Sequence, residues 1–284
     1  MFLHYDQAGL NAQYNLRERH PEQQQHYDRW NQDSAGIREK LDCRLDIPYG
    51  NSPLEKVDLF LPGKPDAPVV VYIHGGFWMS RDKESYSFMA APLVAEGFAV
   101  VIINYDLVPQ VSLDEIVRQC RASVAWSWQN ARDFQGDPER IYVAGHSAGG
   151  HLTLMTLATD WSQWPGIPAD VIKGGLAISG IYDLEPIRLC YQNAVMNLDQ
   201  HAVESLSPLR LSYPARPPLT LAVGNEETEE FIRHTEEMAQ SWKAGGGGTE
   251  HLVLEGHNHF TILDEMGTQA GALVQSLSRM AKRQ

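Results

Sequence analysis

Ser147 stands between two glycines in 141-IYVAGHSAGGHL-152, after a short apolar run and before Leu152, Leu154, Met155 and Leu157 at helical spacing. A strand should therefore meet a helix at this serine. Gly145 and Gly149 complete the G-x-S-x-G pattern of a nucleophile elbow, a strained turn that lifts the hydroxyl clear of a sheet. Beside the amino end of the new helix, unpaired N–H groups favour developing negative charge, which suits acyl transfer. An ordinary Gly-rich turn is the bland alternative, and the strand-turn-helix setting argues against it. A second stretch, 69-VVVYIHGGFWMS-80, ends a strand in an HGG turn whose backbone N–H groups could face an oxyanion. His74 in that turn is read as orienting the loop by hydrogen bonding. His146 and His151 flank the serine in sequence and are read as local packing, since neither lies on a separate loop able to face the hydroxyl as a base.

The elements that must position these residues follow from hydrophobic periodicity. LDCRLDI and KVDLFL alternate apolar and polar residues, as antiparallel strands with one wet face do. VVVYI, AVVII, IYVAG, GLAIS, LTLAV and HLVLE are instead near-continuous apolar runs, expected of parallel strands buried on both faces. Helical patterns lie between and after them: SFMAAPLVAEGF, SLDEIVRQCRASVAWSWQNARDF, HLTLMTLATDW, EEFIRHTEEMAQSWKA and TILDEMGTQAGALVQSLSRMAK. The alternation predicts an α/β chain: a mostly parallel, doubly wound sheet of about eight strands with helices on both faces. Ligands of such sheets sit beyond the carboxyl ends of the strands, where Ser147 falls. Residues 1–40, polar with scattered Tyr and Trp, form an expected helical arm that either folds over the domain or supports a homodimer. The rest, 41–284, is expected to be one domain, with a proline-rich irregular insertion around 183–218 that could cap the site.

Composition narrows the function. A formal charge of −13 disfavours nucleic acid or an anionic membrane as partner, because both reward a basic face. No signal core or membrane span is legible, so a cytoplasmic protein is expected. Cys43, Cys120 and Cys190 are odd in number and widely spaced, which fits free thiols.

A serine nucleophile needs a general base held in one tautomer by a carboxylate. In α/β-hydrolases the chain order is serine, acid, histidine, with acid and histidine after successive late strands. Here 219-LTLAVGNEETEEF-231 ends one strand among Glu226, Glu227, Glu229 and Glu230, and 252-LVLEGHNHF-260 ends the next at His257 and His259. On spacing alone either histidine could be the base. An H-x-H metal pair is the weaker reading, since zinc wants a further ligand. Most of these glutamates are expected only to favour a helix dipole.

Together these residues resemble kynurenine formamidase, also called arylformamidase, in the α/β-hydrolase superfamily. The resemblance rests on EKVDLFLP, HGGFW, FMAAPLVAEGFAVVIINYDLVPQVSLDEIV, GHSAGGHL, SGIYDLEP and the closing GHNHF. It implies Ser147 as nucleophile, His259 as base, and Glu227 as acid where the family usually has aspartate, with Glu226 a rival. It further implies oxyanion donors from the backbone N–H groups of Gly76, Phe77 and Ala148, with Gly75 shaping the turn. The family cleaves the formyl group from N-formylkynurenine, so aromatic walls are implied, with Trp78, Tyr182 and Phe77 placed to supply them. The expected protein is a serine hydrolase without cofactor or metal, acting on a small acyl amide. A short-chain carboxylesterase is the alternative, and a non-catalytic hydrolase-fold binding protein a third reading.

Overall fold

The computed structural model describes residues 2–283. Three helices open the chain: α1 (Gln7–Tyr14), α2 (Leu16–Arg19) and α3 (Gln23–Lys40). Asp6 and then Asn15 cap the first two by accepting the Gly9 and Glu18 N–H groups. The sheet then begins with β1 (Cys43–Pro48), β2 (Lys56–Phe60) and β3 (Ala67–Ile73), followed by α4 (Ala90–Ala95) and β4 (Ala99–Ile103). Next come α5 (Leu113–Asn130), β5 (Gly136–His146), α6 (Ala148–Leu157) and β6 (Ile172–Ile178). Three short helices, α7 (Glu185–Leu189), α8 (Asn193–Met196) and α9 (Gln200–Leu206), lead to β7 (Leu219–Gly224), α10 (Glu229–Ala244), β8 (Thr249–Leu254) and α11 (Ala272–Lys282).

The eight strands form one sheet in the order β1-β2-β4-β3-β5-β6-β7-β8. Pairs β1–β2 and β2–β4 are antiparallel, and every later pair is parallel. This is the doubly wound sheet expected from the apolar runs. Successive side chains on a strand face opposite sides, and the core divides accordingly. Val69, Val71 and Ile73 join Val101 and Ile103 in one apolar layer, while Val70 and Tyr72 join Val100 and Ile102 in the other. Burial on both faces is what makes these strands read as continuous apolar runs. Among the described residues no helix is long and apolar enough to cross a membrane.

Four expectations differ from the fold. β2, expected to keep one wet face, is buried from Val57 to Phe60, and β8, expected to be buried on both faces, is the last strand of the sheet and leaves Val253 45% exposed. The single helical pattern over 261–282 is split into a 3-10 turn, Thr261–Met266, and α11. There the Ala272 N–H turns to the Glu265 carboxylate instead of continuing a helical ladder. The segment 183–218, expected to be irregular, carries α7, α8 and α9. Pro186 and Pro208 sit at the first turns of α7 and of a 3-10 turn, where a missing N–H costs nothing, while Pro214, Pro217 and Pro218 lie in the irregular stretch that leads to β7.

Candidate active site

The carboxyl ends of β3, β5, β6, β7 and β8 bring the predicted groups to one edge. Ser147 closes β5 and caps α6 with φ 57° and ψ −120°, a left-handed conformation that a non-glycine residue adopts only under strain. Its N–H is anchored on the Ile178 carbonyl at 2.8 Å, and its own carbonyl accepts from His151 N–H at 3.1 Å. The elbow is crowded: a Cβ added at Gly149 would stand 2.0 Å from the Ile73 carbonyl oxygen, which ties the start of α6 to the end of β3. Ser147 is only 5% exposed.

After β8, His259 is 3% exposed, and its Nδ1–H donates to the Glu227 Oε2 carboxylate at 2.7 Å. That bond fixes the tautomer and leaves Nε2 as the basic nitrogen. The carboxylate follows β7 and its other oxygen accepts from Ser179 Oγ at 2.5 Å and Gly224 N–H at 2.9 Å. A buried carboxylate with three donors is a satisfied one. Glu226, its rival in the sequence, is exposed and does not take part. The imidazole is held on its flanks by Phe231 and His146, with ring centroids 4.5 and 4.6 Å away. His146 Nε2–H donates to the His259 backbone carbonyl at 2.9 Å, so this histidine positions the loop of the other. Burial drives the His146 pKa well below its ordinary value. His257 is separate: its Nδ1 bonds the Thr261 carbonyl at 3.0 Å and its Nε2 lies 3.4 Å from Glu265.

The HGG loop packs directly against the serine. A Cβ added at Gly75 would lie 2.8 Å from the His146 carbonyl oxygen and 3.2 Å from the Ser147 Cβ. Gly76, Phe77 and Trp78 have φ of 118°, 56° and 58°, a run that is relaxed for the glycine and strained for the two aromatic residues and that turns the loop over the elbow. The orientation of its N–H groups follows from peptide planarity, because C=O and N–H of one trans peptide point opposite ways. His74 Nδ1–H donates to the Gly75 carbonyl at 2.7 Å, which turns the Gly76 N–H away from His74. Met79 N–H, Ser80 N–H and Ser80 Oγ hold the Gly76 carbonyl at 3.1, 3.1 and 3.0 Å, which does the same for the Phe77 N–H. Ala148 supplies the first N–H of α6, one that has no partner within the helix. His74 itself is locked by stacking on Tyr105, 4.2 Å between centroids, and by the Asn104 side-chain amide at 3.1 Å.

Ser147, His259, Gly76 and Phe77 open on one cavity of about 360 Å³. Trp78 and Tyr182, expected to face the substrate, are not on its wall. Both are fully buried, Trp78 edge-on to His151 at 5.0 Å and Tyr182 folded back so that its hydroxyl lies under Gly180. The aromatic wall is built instead by Phe77, Tyr86 and Phe260 of the sheet domain and by Tyr14, Tyr27 and Trp30 of the opening helices. Residues 183–218 reach the rim through Tyr191 and Gln192.

Those opening helices are seated next to the Glu227 loop. Buried Tyr14 donates its hydroxyl to Glu230 Oε2 at 2.9 Å and accepts from His234 Nε2 at 3.0 Å. The Gln13 carbonyl and side chain accept from Thr228 Oγ1 at 3.0 Å and Glu230 N–H at 3.2 Å. Aromatic residues in an otherwise polar segment were the only trace of this role in the sequence. Ser179, the hydroxyl beside Glu227, was a further residue that sequence reasoning had quoted inside SGIYDLEP without a role.

The BD-FAE family model matches residues 57–163. A kynurenine formamidase of Danio rerio is 34% identical over 243 residues, covering 83% of this chain and 81% of that protein. A crystal structure from Silicibacter, 29% identical, superposes with a TM-score of 0.80 over 89% of this chain and 93% of the other. The thermostable carboxylesterase EstE1, from a metagenomic library, is 20% identical with a TM-score of 0.72 over 92% of this chain and 94% of its own, a likeness of fold. With its sheet, its elbow and its span of similarity, this hydrolase has the α/β-hydrolase fold and belongs to the kynurenine formamidase family.

Proposed function

We propose that the chain is a serine hydrolase that cleaves a small acyl amide, an aryl formamide such as N-formylkynurenine, through an acyl-enzyme. One observation carries this reading: Ser147 and His259, the latter paired with the buried Glu227 carboxylate, open on the same aromatic-walled cavity as Gly76 and Phe77. Ser147 Oγ attacks the formyl carbon while its proton passes to His259 Nε2. The resulting oxyanion is held by the N–H groups of Gly76, Phe77 and Ala148, donors fixed before the reaction and therefore free of reorganisation cost. Collapse breaks the C–N bond, and His259 returns the proton to the departing arylamine. Water, deprotonated by the same imidazole, then attacks the formyl ester, and the second collapse releases formate and restores the Ser147 hydroxyl. Glu227 holds the imidazole in its working tautomer and stabilises the imidazolium, without itself taking the proton.

Residues 1–40 act in this reading as an arm on the hydrolase domain, 41–284, that completes the substrate wall rather than a passive cover. Aromatic faces on several sides suit a flat aryl leaving group. Formanilide and phenyl acetate, each assayed at matched concentrations, test the substrate class. Formanilide hydrolysis with release of formate is expected. Turnover of the ester alone would reassign the site to a short-chain carboxylesterase, and turnover of neither would leave the fold as a binding protein.

A further inference from the structure

The HGG loop runs straight into a segment that the arm holds. Phe77, Trp78 and Arg81 all have positive φ, of 56°, 58° and 76°, a conformation that residues with a Cβ keep only where their surroundings over-determine it. The sheet domain fixes the first part. His74 bonds the Gly75 carbonyl, Met79 and Ser80 bond the Gly76 carbonyl, and Val108 N–H bonds the Trp78 carbonyl at 2.9 Å. At Arg81 the hold passes to α3 of the arm. The guanidinium lies on the Tyr27 ring, 3.3 Å from its centroid, and among the described residues its buried Nε has no hydrogen-bond partner. The stem of the same side chain reaches back to the loop: a Cβ added at Gly76 would stand 2.9 Å from Arg81 Cγ and 2.0 Å from the Ser80 carbonyl oxygen. The 3-10 turn that follows, Lys83–Met89, is tied down from two sides. Buried Lys83 pairs with Asp46 of β1 at 2.9 Å and Asp58 of β2 at 2.8 Å. From α3, Arg38 donates to the Glu84 carbonyl and to Ser87 Oγ, and Ser34 Oγ accepts from Phe88 N–H at 3.0 Å. Arg81 thus lies between two anchored stretches, with its strained backbone opposed by the Tyr27 ring.

We propose that Arg81 is a positioning residue that couples the docking of α3 to the placement of the Gly76 and Phe77 N–H groups. The proposal rests on the oxyanion role given to those groups above. A guanidinium on an aromatic face is a cation–π contact, and it keeps both plane and stem in one orientation. Without the ring the Arg81 side chain gains freedom, and the strained backbone loses an opposing contact. The loop then relaxes towards shapes in which the two N–H groups no longer meet the oxyanion. Donors aimed at charge that develops only in the transition state act on kcat, whereas a wall that touches substrate and transition state alike acts on KM. Tyr27 and Arg81 both line the cavity, so this split separates positioning from simple contact.

Steady-state kinetics on formanilide and phenyl acetate, together with hydrogen exchange at the Met79 and Ser80 N–H groups read by NMR, test this in Tyr27→Leu, Arg81→Met and their double variant. Each single change should lower kcat about tenfold with KM within about twofold, and should speed exchange of both N–H groups. The double variant should be no slower than the singles, because both changes remove the same contact. Tyr27→Phe keeps the ring face and should recover most of the kcat lost in Tyr27→Leu. Arg81→Lys, which keeps stem and charge without the plane, repeats the comparison if Arg81→Met does not fold. A raised KM with kcat and exchange unchanged would overturn the proposal and leave the pair as substrate wall. Additive losses in the double variant would overturn it too. If only the ester is hydrolysed, the amidase reading fails while the kcat split is still read from phenyl acetate. If neither is hydrolysed, the hydrolase reading fails, and the exchange comparison still decides whether Tyr27 and Arg81 hold the loop.

Discussion

At the scale of single residues, the account turns on which carboxylate works with His259. Glu226 and Glu227 are neighbours in sequence and differ completely in surroundings, one exposed and the other 5% exposed with His259, Ser179 and Gly224 around it. Glu227→Gln keeps the shape and removes the charge that stabilises the imidazolium, so kcat should fall by at least about 10²-fold. Glu226→Gln should leave kcat within about twofold, as surface substitutions away from special features usually do. Steady-state kinetics on one substrate checks both, and equal effects would remove Glu227 from its role. The hydroxyl of Ser179 and the N–H of Gly224 hold the far oxygen of the Glu227 carboxylate in place.

At the scale of elements, the opening helices are as much part of the site as the strand ends. Tyr14 links α1 to α10 through a buried chain: its hydroxyl donates to Glu230, accepts from His234, and His234 Nδ1 in turn accepts from the N–H groups of Tyr182 and Asp183 at 3.4 and 3.3 Å. Tyr14→Phe leaves the carboxylate and imidazole short of a partner without changing the ring. The expected cost is about 1–3 kcal/mol, the usual result of orphaning a buried polar group. Urea unfolding reads it directly, and an unchanged midpoint would show that the arm is not held by this chain. The strands themselves were legible because burial on both faces writes a continuous apolar run into the sequence. Ser147 and the HGG turn were legible because backbone strain there demands small residues at fixed spacing. The aromatic wall was not legible in the same way. Trp78 follows the HGG turn and Tyr182 follows β6, so both are near the site in sequence; the direction of a side chain at a φ of 58°, or of one folded under Gly180, is decided by packing and not by position. Tyr14, Tyr27 and Trp30 lie more than a hundred residues from Ser147, and no local pattern announces that they reach it.

At the scale of the whole molecule, four buried imidazoles make stability depend on pH. His74, His146, His151 and His234 are all depressed by burial, His151 to about 4. In the unfolded chain each titrates near its ordinary value, roughly 6.5. Below that pH the unfolded state binds protons that the native state refuses, so the native state loses stability as the pH falls. The contribution is complete above the unfolded value and is lost progressively on acidification towards the folded values. Each imidazole sets a limiting slope of about 1.4 kcal/mol per pH unit, so the four together should make denaturant midpoints drop steeply between about pH 6.5 and 5. A flat stability profile across that interval would mean that these side chains are solvated in the native state. This acid sensitivity comes from the same residues that shape the site: His74 sets the Gly75 peptide, His146 holds the His259 carbonyl, and His151 sits one turn beyond Ser147.

The claim underneath all of this is that the Ser147 hydroxyl is activated by the His259–Glu227 pair. A fluorophosphonate probe reacts far faster with a serine so activated than with an ordinary hydroxyl, and intact-protein mass spectrometry followed by peptide mapping locates it. The account predicts a single adduct on Ser147, abolished in Ser147→Ala and strongly slowed in His259→Ala. An unlabelled protein, or an adduct on another residue that persists in Ser147→Ala, would contradict it.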